Sequence, residues 1–195
     1  MIVYCGLRHF YVLNFLRLHA AEAQGDAYYI LTHQGQVWDF SPELKDYHFN
    51  PQKSGRAVLQ LDKPVLTIPI SLPDFLPLAQ KWHRFSRQYT EELEIEHPHS
   101  RYLRFKQPAI LQQFLLDLSA KLKEDQGGGI WGAGESKLVA KLAAHNLKGP
   151  ERIVPSEQTG RFLNSIPLHR PPLEEATALE KLGFKTLGEL GAIPM

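Results

Sequence analysis

The sequence is poor in cysteine, since Cys5 is the only one among its 195 residues. A single cysteine cannot form an internal disulfide, which excludes a disulfide-stabilised secreted domain and fits a reducing compartment. Cys5 lies in a short apolar run with no motif for a nucleophile, so a small buried side chain is the simplest interpretation. We therefore expect a cytoplasmic protein.

Long apolar runs are also missing. No stretch approaches the roughly 20 apolar residues that a membrane-spanning helix needs. The most apolar segment, residues 65–79, contains three prolines and an aspartate. Near the start of the sequence, Arg8 and His9 interrupt the apolar run and no small-residue cleavage site follows, so a signal peptide is not indicated. We predict no membrane partner.

Charge of one sign is not in excess, because 22 Lys and Arg residues face 21 Asp and Glu residues for a formal net charge of +1. This balance neither indicates nor excludes a nucleic-acid partner, since local patches matter more than the total. Hydrophobic residues make up 43% and aromatic residues 10% of the chain, which is enough for a folded core.

The order of patterned segments predicts an α+β fold. Strand-like and helix-like segments alternate over residues 1–155, with hairpin signals such as THQGQ between two strand-like runs. This order favours a layered domain with a mixed or antiparallel sheet. A mostly helical tail follows after a proline-rich joint, HRPPLEE, and indicates a small second unit.

Residues 129–150 read GIWGAGESKLVAKLAAHNLKGP and suggest a phosphate loop at first sight. A P-loop requires lysine directly after its last glycine, but Glu135 and Ser136 separate Gly134 from Lys137. The stretch instead fits a helix that Ser136 caps. Its basic positions recur at helical spacing, as Lys137, Lys141, His145 and Lys148. Two interpretations remain, namely a solvated lysine face and a surface that contacts phosphates.

The segment GAGESKLVAKLAAHNLKGP resembles the palm signature of Y-family translesion DNA polymerases. Other segments follow in the family's order: IVYCGLRHFYVLNF resembles its first strand and helix, RFSRQYTEELEIEHPHSRYLRF its palm hairpin, and GRFLNSIPLHRPPLEEATALEKLGFKTLGELGAIP the start of its thumb. The resemblance covers nearly the whole chain at low identity and is poorest in the fingers. It implies a ferredoxin-like palm at residues 1–20 and 65–155, a fingers-like insertion at 21–64, and a partial helical thumb at 156–195.

The departures from the family concern its catalytic acids. By the resemblance, the first strand should carry acidic residues where Gly6 and Arg8 stand, and the palm hairpin should carry an acidic pair where His99 and Ser100 stand. Two-metal nucleotidyl transfer needs carboxylates that fix two Mg²⁺ ions, which prefer oxygen ligands. We therefore expect no catalytic residue, no metal site and no cofactor, with Mg²⁺ expected only if the chain is a divergent active enzyme. A zinc site at His97 and His99 has no third ligand nearby in the sequence.

The nucleotide-binding positions of the family are weakened as well. Lys45, in PELK, is the only counterpart of the phosphate grip of the fingers, and Lys148 matches the lysine that precedes the palm proline. Phe10 and Tyr11 match the family's aromatic pair, in which Tyr11 stands at the position that stacks under the sugar, although core packing explains Tyr11 equally well. The thumb phrase lacks the glycine turn that grips phosphates, and the sequence given ends at Met195, before the remaining family domains.

Three hypotheses for function follow. The first is a catalytically inactive accessory protein, similar to the inactive Y-family homologue of the bacterial mutasome, a damage-induced translesion complex. This protein would act in DNA repair through DNA and through a DNA polymerase, recombinase or sliding-clamp partner. The second is a divergent active translesion nucleotidyltransferase. The third is a protein-interaction module without DNA binding.

Overall fold

The computed structural model describes residues 1–19, 27–46, 63–124, 128–145, 152–168 and 176–191. Their strands and helices, in chain order, are β1 (Ile2–Leu7), α1 (Phe10–Leu18), β2 (Tyr28–His33), β3 (Gln36–Phe40), β4 (Val65–Pro69), α2 (Leu76–Arg87), β5 (Leu93–His97), β6 (Ser100–Arg104), α3 (Pro108–Glu124), β7 (Gly129–Gly134), α4 (Lys137–His145), α5 (Thr159–Asn164), α6 (Ala176–Lys181) and α7 (Leu187–Gly191). Short 3₁₀ turns at Pro42–Asp46, Leu72–Phe75 and Ser156–Gln158 complete them.

The larger sheet has the strand order β5-β6-β1-β7, and every neighbouring pair is antiparallel. The hairpin β5–β6 lies on one side of β1, while α3 carries the chain across to β7 on the other side. This is the split β-α-β arrangement of a ferredoxin-like fold. The predicted α+β class and ferredoxin-like palm are confirmed.

Alternating side chains of β1 build a core on each face of this sheet. Val3 and Cys5 are fully buried against Trp82 of α2 and Phe114 of α3, while Tyr4 packs on the opposite face, toward α4. Burial raises the pKa of the Cys5 thiol to about 12, so the thiolate that a nucleophile requires does not form at neutral pH. Cys5 thus packs as a small hydrophobic side chain.

Helix α4 lies unusually close to β7, and glycine makes this possible. A Cβ atom added to Gly132 would overlap the backbone nitrogen of Ala144 and the carbonyl oxygen of Ala140. A Cβ on Gly134 would overlap the side chain of Val139. The Ser136 hydroxyl accepts from the Val139 N–H at 3.2 Å, as expected of a capping residue. The glycines of this stretch therefore serve strand–helix packing.

The smaller sheet has the order β3-β2-β4, with β2 and β3 antiparallel and β2 and β4 parallel. Gln34 and Gly35 adopt φ of 51° and 79°, the backbone that a tight two-residue hairpin demands, so the predicted hairpin is confirmed. β4 extends this sheet, although the resemblance implies that the second palm segment begins at residue 65. Parts of the expected insertion, residues 21–26 and 47–62, lie outside the described residues.

The tail packs against the outer side of α4. Leu142 of α4 joins Ile166, Leu168 and Leu187 in one buried cluster. Thr186 and Glu189 form a reciprocal capping box at the start of α7, since each side chain accepts from the backbone N–H of the other. No helix among the described residues has the length and hydrophobicity to cross a bilayer.

Candidate functional site

Three of the four positions at which the resemblance calls for acids lie together at one end of the larger sheet. Gly6 of β1 and Ser100 of β6 are directly opposite each other, and a Cβ on Gly6 would be 3.3 Å from the Ser100 Cβ. The same Cβ would be 3.6 Å from the carbonyl oxygen of His99, which accepts from the Leu7 N–H at 3.0 Å. These residues, which we call the degenerate centre, bring no carboxylate to this end of the sheet.

Arg8 has a different location. It follows β1, is exposed, and its backbone N–H donates to the Gly128 carbonyl at 3.3 Å. Arg8 lines a cavity formed with α1, α2 and the end of α3, on the face of the sheet opposite α4. Its charge also reaches α4, because Arg8 and Lys141 add to burial, the main cause, in lowering the pKa of His145.

One acid outside the four expected positions, Glu96, reaches the degenerate centre. A bulge between Ile95 and His97 interrupts the β5–β6 register beside it. The Glu96 carboxylate accepts from Lys141 Nζ at 2.7 Å, from the Tyr102 hydroxyl at 3.1 Å and from the Ser100 hydroxyl at 3.4 Å. Burial raises its pKa, but the hydrogen bond and charge of Lys141 outweigh burial, so the pKa of Glu96 is lowered.

The described lysines of α4 bind carboxylates of β5. Lys137 pairs with Glu94 and Lys141 with Glu96, and their ammonium groups lie 5.8 Å and 5.7 Å from the rings of Tyr102 and Tyr4. Such half-exposed pairs contribute about 0–1 kcal/mol, so a phosphate can compete for either lysine. The face is thus neither a plain solvated stripe nor a set of unpaired cations.

Two of the predicted phosphate contacts have no described side chain. Lys148 lies outside the described residues, and Lys45 belongs to the Pro42–Asp46 turn, where only its backbone is described. Their phosphate-binding roles remain predictions.

Phe10 and Tyr11 are core residues that also border the degenerate centre. They are 4% and 2% exposed, and both pack against Phe75. The Tyr11 ring meets the His99 ring edge to face, with the centroids 5.6 Å apart. Burial is the main reason why the pKa of Tyr11 is raised. Core packing accounts for both aromatic residues, and a stacking role toward a sugar remains a prediction.

The N-terminus of α1 is occupied by a side chain of this chain, Asp39 of β3. The N–H groups of Tyr11 and Val12 donate to Asp39 Oδ2 at 2.9 Å and 3.0 Å. A helix N-terminus favours anions such as phosphate, and here an internal carboxylate already fills that position. His9, whose φ is 50°, lies beside the other carboxylate oxygen, with its Nδ1 3.5 Å from Asp39 Oδ1. This hydrogen bond with Asp39 is the main reason why the pKa of His9 is raised.

Asp39 could not be found from local sequence, because it caps a helix 28 residues away across a sheet contact. Glu96 was visible as an acid on the hairpin, but its orientation depends on the bulge, and a strand pattern does not reveal a bulge.

The donors present do not fit the two Mg²⁺ ions that the resemblance to Y-family polymerases implies. Glu96 and Asp39, the nearby acids, are already bound to Lys141 and to the α1 N-terminus. His99 offers a nitrogen ligand that Mg²⁺ disfavours, and burial lowers its pKa to about 4. Within the described ranges there is no group of three His, Cys, Asp or Glu residues that could hold a metal. The rings of His97 and His99 stack on each other, with their centroids 5.5 Å apart.

No family model matches the sequence, and no curated protein matches it. Solved structures do share its fold. A DinB-family error-prone DNA polymerase from Sulfolobus solfataricus superposes with a TM-score of 0.75 at 13% identity, over 99% of this chain and 59% of that one. A Dbh ternary complex superposes with a TM-score of 0.77 at 14% identity, over 100% of this chain and 60% of that one.

A Y-family DNA polymerase chimera that contains Dbh gives a TM-score of 0.72 at 12% identity, over 98% of this chain and 60% of that chain. The fold is therefore that of the palm and fingers of Y-family DNA polymerases. The chain spans about three fifths of the length of the structures it matches.

Proposed function

We propose that this chain is a catalytically inactive Y-family-like protein that serves DNA damage tolerance as an accessory factor. The observation that carries the proposal is the chemistry of the degenerate centre. Gly6 and Ser100 face each other where the fold's metal ligands are expected, and His99 beside them has a lowered pKa. Without carboxylates there, the two-metal mechanism has no anchor.

The α1 N-terminus supports the same conclusion independently. Nucleotide polymerisation requires a bound triphosphate, and helix N-termini are favourable positions for phosphate groups. In this chain Asp39 already accepts from the Tyr11 and Val12 N–H groups, and its negative charge would repel a phosphate. A triphosphate would have to displace an internal cap.

The proposed role retains DNA as a partner. Lys137 and Lys141 lie half-exposed on α4, and phosphate contacts of this kind position a protein on DNA without reading its sequence. The pairs with Glu94 and Glu96 weaken but do not abolish such contacts. We propose weak to moderate, salt-dependent DNA binding, and recruitment of a DNA polymerase, recombinase or sliding clamp in the cytoplasm.

One observation favours the alternative of a divergent active nucleotidyltransferase. Glu96 delivers a carboxylate to within 3.4 Å of the Ser100 hydroxyl, close to where an acid is expected. This carboxylate is held by Lys141, whose positive charge competes with a metal ion. A single acid also cannot supply the ligands of two ions.

Primer extension with Mg²⁺ and with Mn²⁺ separates these functions. We expect no nucleotide incorporation from the wild-type chain or from Glu96→Gln, alongside measurable binding of primed DNA. Incorporation by the wild-type chain that Glu96→Gln abolishes would overturn the inactive assignment and establish the alternative. Absence of salt-dependent DNA binding would instead favour an interaction module that has no DNA partner.

A further inference from the structure

An open apolar groove of about 300 Å³, which we call the α3 groove, lies on the face of the larger sheet opposite α4. One wall consists of α3 positions spaced three and four residues apart, from Pro108 to Ser119, which form a single face of the helix. Trp131 of β7 and Ile153 form the other wall. The groove therefore follows three turns of α3, a length of roughly 16 Å.

The α3 groove leaves large apolar side chains open to solvent. Leu116 is 61% exposed and Ile153 is 40% exposed. Single exposed apolar residues are ordinary, but these two are continuous with Leu111, Leu115 and Trp131, which pack against the buried core. None of the described lining residues is charged. A contiguous apolar surface of this kind is typical of a protein interaction site.

A cation lies at the edge of the α3 groove. The Arg152 guanidinium is 5.5 Å from the centroid of the Trp131 ring, and Arg152 is exposed. Among the residues that the structure describes, no carboxylate forms an ion pair with it. A guanidinium that lies over an aromatic ring can still donate two parallel hydrogen bonds to a carboxylate. The edge of the groove is therefore complementary to an acidic group.

We propose that the α3 groove docks an amphipathic helix of a partner protein, with an acidic residue beside the apolar face of that helix. Such a helix carries apolar side chains three and four residues apart, which matches the spacing along α3. Ile153 already pairs with Ala133 at the outer edge of β7, and this favours a docked helix over an added strand. A basic partner would place a like charge against Arg152. The groove faces away from the α4 lysines, so the inference does not depend on DNA binding or on catalytic inactivity.

Fluorescence anisotropy of a labelled synthetic helix with the whole chain tests this proposal. The probe is about 12 residues long, to match the three turns of α3, with leucines along one face and glutamates beside them. A second probe has lysine in place of each glutamate. We expect the acidic probe to bind and the basic probe to bind at least about threefold more weakly. Leu116→Glu should weaken binding of the acidic probe at least about tenfold, because it removes an apolar contact and adds a like charge. Arg152→Gln should weaken it about two- to fivefold, the effect of losing one exposed ion pair.

Both substituted residues are exposed, so both variants should fold. The matched control is Leu182→Glu, which replaces a leucine that is 74% exposed outside the groove and should bind the acidic probe as the wild type does. No binding at millimolar acidic probe, equal binding of the two probes, or full binding by Leu116→Glu would overturn the proposal. So would self-association of the wild type in analytical ultracentrifugation that Leu116→Glu abolishes, because a second copy would then occupy the groove. Primed DNA should bind Leu116→Glu as it binds the wild type, which separates this test from the DNA contacts proposed for α4.

Discussion

At the scale of single residues, two histidines near the degenerate centre respond to pH in opposite directions. His9 is stabilised as a cation by Asp39, so its pKa is raised, whereas burial lowers the pKa of His99 to about 4. A raised histidine pKa adds stability below the unfolded value of about 6.5 and loses it as pH rises through the folded pKa. A lowered histidine pKa removes stability as pH falls below about 6.5.

The larger of these effects belongs to His99. Between pH 6.5 and about 4, His99 binds a proton in the unfolded chain but not in the folded chain. This difference lowers the unfolding free energy by up to about 3 kcal/mol. We expect His99→Gln to flatten the loss of stability over this interval. Urea denaturation at several pH values across it measures the effect. A parallel pH dependence for the wild type and the variant would contradict the prediction.

Substitution of Asp39 tests whether its carboxylate caps the N-terminus of α1. Asp39→Ala removes the acceptor of the Tyr11 and Val12 N–H groups and should lower the unfolding free energy by about 1–2 kcal/mol. It should also return the His9 pKa toward its ordinary value, which NMR titration of the imidazole reports. Asp39→Asn is the matched control, because it keeps a capping oxygen but removes the charge. An Asn variant with the wild-type His9 pKa would contradict the proposed pairing.

At the scale of elements, the sequence predicted what depends on periodicity and turn chemistry. The THQGQ hairpin is of this kind, because side-chain alternation and the φ of Gly35 act locally. The ferredoxin-like order of the larger sheet was instead implied by the family resemblance. Asp39 and Glu96 depend on contacts between elements and on a bulge, which leave no local pattern. The lysine spacing on α4 predicted one basic face but could not predict the glutamates that pair with it.

The close approach of α4 to β7 is the packing feature most sensitive to a single methyl group. Gly132→Ala would place a Cβ on the α4 backbone and should cost about 2–3 kcal/mol of stability, because backbone cannot move aside as a flexible side chain can. The matched control is Gly160→Ala in α5, where a Cβ meets nothing within 4 Å. It should be neutral or stabilising by up to about 1 kcal/mol. Thermal or urea unfolding measures both stabilities. Equal stability of the Gly132→Ala and Gly160→Ala variants would contradict the close packing of α4 on β7.

At the scale of the whole molecule, the positive charge of α4 is compensated by acids of another element. Lys137 and Lys141 of α4 pair with Glu94 and Glu96 of β5. Compensated charges bind phosphate only when their partners are displaced, so DNA affinity should depend on both members of each pair. Because each lysine is paired with an acid, the DNA-binding hypothesis can be tested by removing the acids as well as by removing the lysines.

Removal of the acids should therefore strengthen DNA binding. Glu94→Gln and Glu96→Gln leave Lys137 and Lys141 without their carboxylates, so both variants should bind primed DNA more tightly than the wild type at low salt. Lys137→Gln and Lys141→Gln should weaken binding and reduce the slope of log affinity against log salt by about 0.9 for each phosphate that the variant no longer neutralises. Fluorescence anisotropy over a range of about 50 to 200 mM salt measures both quantities. Lys106→Gln, whose pair with Glu92 lies away from α4, should change neither. If the glutamine substitutions of the acids and of the lysines shifted affinity in the same direction, the phosphate contacts would have to lie on a surface other than α4.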